Sequence, residues 1–145
     1  MSESDAVERA RRAAATNESL EPRDDGGYTV TTTAFDGTVE IGADGGTIVL
    51  TVTATVPMLD AVTEESVASV VEEGWFETFE LRMADIDGAI RGGDPDVSVR
   101  QVGNEVVVEA ELRDLDATRA VADAVAVVEY VEGTYVEGII PGYEY

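Results

Sequence analysis

Between Thr47 and Val56 the chain alternates strictly. Ile48, Leu50, Val52, Ala54 and Val56 fall on one side, and Thr47, Thr51, Thr53 and Thr55 on the other, with Val49 the lone apolar residue among them. Successive strand side chains point to opposite faces, so this run offers one face to a core and one to water. A strand of a parallel sheet, covered on both sides, would read as a continuous apolar run instead. The fold must therefore contain an antiparallel sheet packed on a single face.

The flanking segments supply strands to pair with it and helices to cover it. Residues 4–16 form an Ala-rich amphipathic pattern, with Ser2 or Ser4 as N-cap and Val7, Ala10 and Ala14 on one side. Asn17 to Gly27, with Pro22 and Gly26-Gly27, reads as a linker-like loop. Tyr28 to Phe35 reads as a strand, Asp36-Gly37 as a two-residue hairpin turn, and the residues around Val39 and Ile41 as a short strand. Asp44-Gly45-Gly46 turns the chain into the 47–56 strand, which Pro57 ends. Thr63, followed by Glu64 and Glu65, is the expected N-cap of a helix whose apolar stripe is Val67, Val71, Trp75, Phe79 and Met83, widened by Val70, Phe76 and Ile86. After a loop from Gly88 to Pro95, Val97–Val102 and Glu105–Leu112 make a second hairpin around Gly103-Asn104. Asp114 or Asp116 then opens a last helix carrying Val121, Val125, Val128, Tyr135 and Ile139.

The resulting order, α-β-β-β-α-β-β-α, predicts an α+β fold: a five-stranded, mainly antiparallel sheet with helices on one face. The arrangement is similar to that of type III secretion chaperone-like folds. A chain of 145 residues fits one domain, read here as 1–145 with residues 1–3 disordered.

Charge describes the solvent more than the partner. Thirty-one Asp and Glu face nine basic residues, every one an Arg, for a net charge of −22. On a small domain that charge is strongly self-repulsive at low ionic strength. In molar salt the Debye length shrinks to about 3 Å and the repulsion is screened. The complete absence of Lys and the even spread of acids point to a halophilic, haloarchaeal protein rather than to an acidic tail. Met1 to Arg12 has no apolar signal core, and no run approaches the roughly 20 apolar residues of a membrane helix. The expectation is a cytoplasmic protein that engages no membrane.

The short strand Thr31-Thr32-Thr33-Ala34-Phe35, the helical Gly74-Trp75-Phe76-Glu77-Thr78-Phe79 and the ending Tyr130-Val131-Glu132-Gly133-Thr134-Tyr135-Val136-Glu137-Gly138 carry a resemblance over nearly the whole chain. The chain resembles a small, uncharacterised haloarchaeal protein family, a domain of unknown function. The resemblance implies a haloarchaeal source and a single domain, and it transfers no catalytic residue.

The residue inventory narrows the chemistry. Without Cys, His or Lys there is no Ser-His-Asp or Cys-His nucleophile, no His- or Cys-based zinc site, no Schiff base and no Walker-type loop. Hard cations take oxygen ligands, so Asp85, Asp87, Asp94 and Asp96, bracketing a Gly-rich loop, are the metal candidates. They complete no EF-hand loop, and in so acidic a chain a solvated loop is the simpler reading; no metal and no cofactor are expected. A −22 surface without a basic patch argues against direct nucleic-acid binding.

The interaction candidates are apolar and aromatic: Trp75, Phe76, Phe79, Tyr130, Tyr135, Tyr143 and Tyr145. Trp75 and Phe79 lie on the core stripe, while Phe76 stands about 100° away and is read as core first and dimer contact second. Tyr130 and Tyr135 are separated by about 140° on a helix and cannot share a face. Gly133 and Gly138 in that segment suggest close packing or a helix end. These features lead to a non-enzymatic protein-interaction or chaperone-like module, a homodimer acting on a protein partner. The alternatives are a small carboxylate-based enzyme or ligand-binding domain, and an accessory subunit of a larger complex.

Overall fold

The computed structural model describes residues 3–63, 66–92 and 95–138. Among them run α1 (Glu3–Ala15), β1 (Leu20–Pro22), β2 (Tyr28–Val30), β3 (Asp36–Asp44), β4 (Thr47–Pro57), α2 (Leu59–Val62), α3 (Ser69–Met83), a 3-10 turn (Ile86–Ala89), β5 (Asp96–Val102), β6 (Glu105–Asp114) and α4 (Ala117–Glu137). The strands make one open antiparallel sheet in the order β1-β2-β3-β4-β6-β5. The α+β class and the one-sided antiparallel sheet are as the alternation required. The sheet has six strands rather than five.

The extra strand is β1. It lies inside the segment read as a loop, where Leu20 pairs with Val30 and puts its side chain into the core. The strand read as Tyr28–Phe35 ends at Val30, because residues 32–35 bend away from the ladder. Two acids of α4 hold those bends: Thr32 Oγ1 donates to Glu129 at 3.0 Å, and the Ala34 amide donates to Glu132 at 2.6 Å. Asp36-Gly37 is no hairpin turn; both residues belong to β3, where Gly37 pairs with Ala54. A β-carbon at Gly37 would collide with Val128 of α4, so this glycine is a packing position that lets the helix approach the sheet. The turns at Gly45 and Gly103 are as expected, each with positive φ.

β4 is the central strand. Val52 lies between Val39 and Ala110, and Leu50 between Ile41 and Leu112, all facing the helices. On the other face Thr51 meets Glu40 and Glu111, Thr53 meets Thr38 and Glu109, and the β4 threonines are half-buried. The core divides along α4 into two lobes. In the first, Ala6, Ala10 and Ala14 of α1 and the N-terminal half of α4 cover Val30, Val39, Ile48, Leu50 and Leu112. In the second, Trp75, Phe79 and Met83 of α3 and Val131 and Tyr135 of α4 cover Ala54, Val56, Val106 and Val108. α3 begins at Ser69, after the expected cap at Thr63; Glu64 and Glu65 lie outside the described residues. Its stripe is narrower than expected, because Val70 is exposed.

Of the two candidates, Asp116 caps α4, accepting from the Arg119 amide at 2.9 Å. Asp114, at the buried end of β6, takes a two-pronged contact from the Arg119 side chain, with Nε and Nη2 each at 2.7 Å. That guanidinium, helped by the Asp116 amide, holds the Asp114 carboxyl below the usual aspartate range. A depressed folded-state value means that the stabilisation is full above the unfolded pKa of about 3.9 and is lost as pH falls through the folded value. Acid titration of thermal unfolding should therefore show a steeper loss below about pH 4 in the wild type than in Asp114→Asn. Parallel acid limbs in the two proteins would refute the assignment.

Candidate interaction groove

The sequence of α3 places Gly74 and Thr78 one turn apart on its outer shoulder, with Trp75 and Phe79 beside them turned toward the core. α4 runs alongside and presents Thr134 and Gly138. Between the two helices lies a cleft of about 260 Å³ lined by Gly74, Trp75, Thr78, Phe79, Arg82, Thr134 and Gly138. Its walls are built on a chain of rings. Trp75 stacks on Phe79 at 5.8 Å and meets Tyr135 edge-on at 5.7 Å, and Tyr135 meets Phe35 edge-on at 5.0 Å. Such pairs contribute about 0.5–1.5 kcal/mol each beyond the area they bury.

Glycine shapes the opening. A β-carbon at Gly74 would meet nothing within 4 Å, whereas one at Gly138 would stand 3.1 Å from Trp75 Nε1. Gly138 therefore closes the helix and leaves room for the indole. Gly133, read with Gly138 as marking close packing or a helix end, marks neither: it faces open space inside α4.

One flank of α4 fixes the far wall through residues seven apart, two helical turns each. Asp123, only 4% exposed, accepts from the amides of Arg91 at 2.9 Å and Gly92 at 2.8 Å. Tyr130 donates its hydroxyl to the Arg82 carbonyl at 2.7 Å, and Glu137 pairs with the Arg82 side chain at 3.1 Å. These four contacts tie the end of α3 and the loop after the 3-10 turn to one helix. Tyr130 and Tyr135 thus do different work, as their spacing required: one latches α3 and the other is buried.

The remaining candidates scatter. Phe76 is half-buried outside the cleft, beside Met58 and Gln101. Asp85, Asp87 and Asp96 are exposed, and Asp94, Tyr143 and Tyr145 lie outside the described residues. Among the described residues no three acidic side chains gather closely enough to hold a metal ion. Asp114, Asp123, Gly74 and Arg82 gain roles that the motif reading did not give them. Among the described residues no helix is long and apolar enough to cross a membrane.

Fold and groove together define a two-layer α+β domain whose distinctive surface is an apolar cleft between two helices. The chain belongs to a family of unknown function, DUF5813, whose model matches residues 15–145. No curated protein and no solved structure matches the chain. The family match begins at Ala15, the last residue of α1.

Proposed function

We propose that this domain is a non-enzymatic interaction module that receives an apolar side chain of a partner protein, flanked by basic residues, in the groove between α3 and α4. The observation that carries the reading is the open, ring-walled cleft, continued on α3 by an exposed ledge. Val70 and Leu81 are 74% and 72% exposed, and both lie on the helical stripe that passes through Gly74. Exposed apolar surface beside a cleft of this kind marks an interaction site. Charge selects the occupant: Glu73 and Glu77 stand exposed on the opposite flank of α3 and the whole chain carries −22, which favours a basic partner. The module works in a halophilic cytoplasm as a homodimer, with self-association on a separate surface. The chaperone-like comparison rests on a five-stranded order, from which the sixth strand, β1, departs.

The enzymatic alternative draws less support. Asp114 and Asp123 spend their oxygens on Arg119 and on the amides of Arg91, Gly92 and Asp116.

Trp75 is the single tryptophan and reports on the groove. Its emission should shift saturably on titration with a Leu/Arg-rich peptide and not with a Leu/Glu-rich peptide of the same length. Gly74→Leu should abolish that response by filling the groove. The same change should keep or raise stability, since a helix-interior Gly costs about 1 kcal/mol relative to a good helix former. A folded Gly74→Leu protein that still binds the peptide would sink the proposal.

A further inference from the structure

The two edges of the sheet are unequal. β1 is three residues long and ends in Pro22, which blunts it as a template for pairing. β5 is the opposite edge: seven residues, Asp96-Val97-Ser98-Val99-Arg100-Gln101-Val102, without Pro, Gly or Lys. One side of β5 pairs with β6, and its other side presents main-chain donors and acceptors to the outside.

The side chains along this edge are self-complementary. Register with β6 sets Asp96 opposite Glu111 and Arg100 opposite Val107, so both point to the face away from the helices. Both are exposed, and among the described residues neither makes an ion pair or a side-chain hydrogen bond. In a chain with nine cations and thirty-one acids, an unpaired Arg four residues from an unpaired Asp on a free edge is unusual.

We infer that β5 pairs antiparallel with β5 of a second copy about a two-fold axis at Ser98. In this register Asp96 faces Arg100 of the partner and Arg100 faces its Asp96, giving two reciprocal ion pairs on the outer face. Val97 faces Val99 on the helix side, where both are half-buried in the monomer. An axis through the sheet at this point keeps both helical layers on the same side and joins the two sheets into one. Neighbouring registers lose the Asp96–Arg100 match. Centring on Val99 sets Asp96 against Val102 and Arg100 against Ser98, and centring on Val97 brings Pro95, which has no N–H, into the ladder. Phe76 and Gln101 flank the edge on the helix side and enclose the seam. The occupant is a second copy because the strand's own charges complete each other, and the interface is independent of the groove.

Two copies at −22 each repel, so pairing tightens as salt screens the whole-molecule field. Sedimentation velocity over a concentration series in concentrated KCl should show a monomer–dimer equilibrium that shifts toward monomer as salt is lowered. Asp96→Arg and Arg100→Asp each place like charges opposite one another twice per dimer and should raise the dimer Kd at least about tenfold. The double exchange, Asp96→Arg with Arg100→Asp, should restore it, with circular dichroism unchanged throughout. A wild-type monomer at every concentration overturns the proposal. So do single variants that dimerise as the wild type does, or a folded double exchange that fails to recover.

Discussion

Asp123→Ala should lower the stability of the domain by about 3 kcal/mol, since each hydrogen bond to a buried charged group is worth about 1.5–3 kcal/mol and the donors left behind are costly. The carboxylate is almost fully buried in α4 and spends one oxygen on each of two consecutive amides, those of Arg91 and Gly92. Asp114, the other carboxylate beside Gly92 among the described residues, is occupied by Arg119 and does not replace it. Asp123→Asn should cost less, since it keeps one carbonyl for one of the two amides. Urea unfolding gives the magnitude, and amide exchange at Arg91 and Gly92 shows where the loss lies. An alanine variant with unchanged unfolding midpoint would mean that the loop is held by other contacts.

Gly37→Ala should destabilise by about 1–3 kcal/mol, the usual cost of inserting a methyl group into a packed core. Its β-carbon would overlap Val128 Cγ1, and the collision cannot be relieved by swinging a flexible side-chain end away. Gly37 and its partner Ala54 form a small-residue pair beneath α4, and the helix rests there. Val128→Ala makes room at the cost of a cavity of its own. The double variant should therefore be less destabilised than the two single losses combined, and a coupling of that sign is the signature of direct contact. Simple additivity would show that α4 shifts instead of colliding.

The contrast between Gly37 and Gly103 shows what was legible in the sequence. Gly103-Asn104 turns the chain between two strands of clear alternation, and local information suffices for that hairpin. Asp36-Gly37 is also a turn dipeptide by composition, yet its glycine answers to Val128, a residue remote in sequence. The bends at 32–35 likewise depend on Glu129 and Glu132, and no local pattern encodes them. β1 was hidden because three residues are too few to show alternation. The stripe of Trp75, Phe79 and Met83 was legible as core, and the tyrosine spacing correctly separated Tyr130 from Tyr135. The groove was not legible, because it arises from the missing side chain at Gly74 and from Gly138 on a different helix. Asp123 did leave a trace: it is an acid among Ala120, Val121, Ala124 and Val125, all buried. In a chain so rich in carboxylates that trace was lost in the background.

The position of β4 also orders events in time. Its pairing with β3 closes through the two-residue turn at Gly45-Gly46, a local step that forms within microseconds. Its pairing with β6 joins Pro57 to Glu105 and must enclose α2, α3 and β5. Closing so long a loop costs chain entropy before any contact repays it, and such non-local pairing slows folding. Substitutions that weaken the β4–β6 ladder should therefore slow folding more than those that weaken the β3–β4 hairpin, as stopped-flow refolding would show.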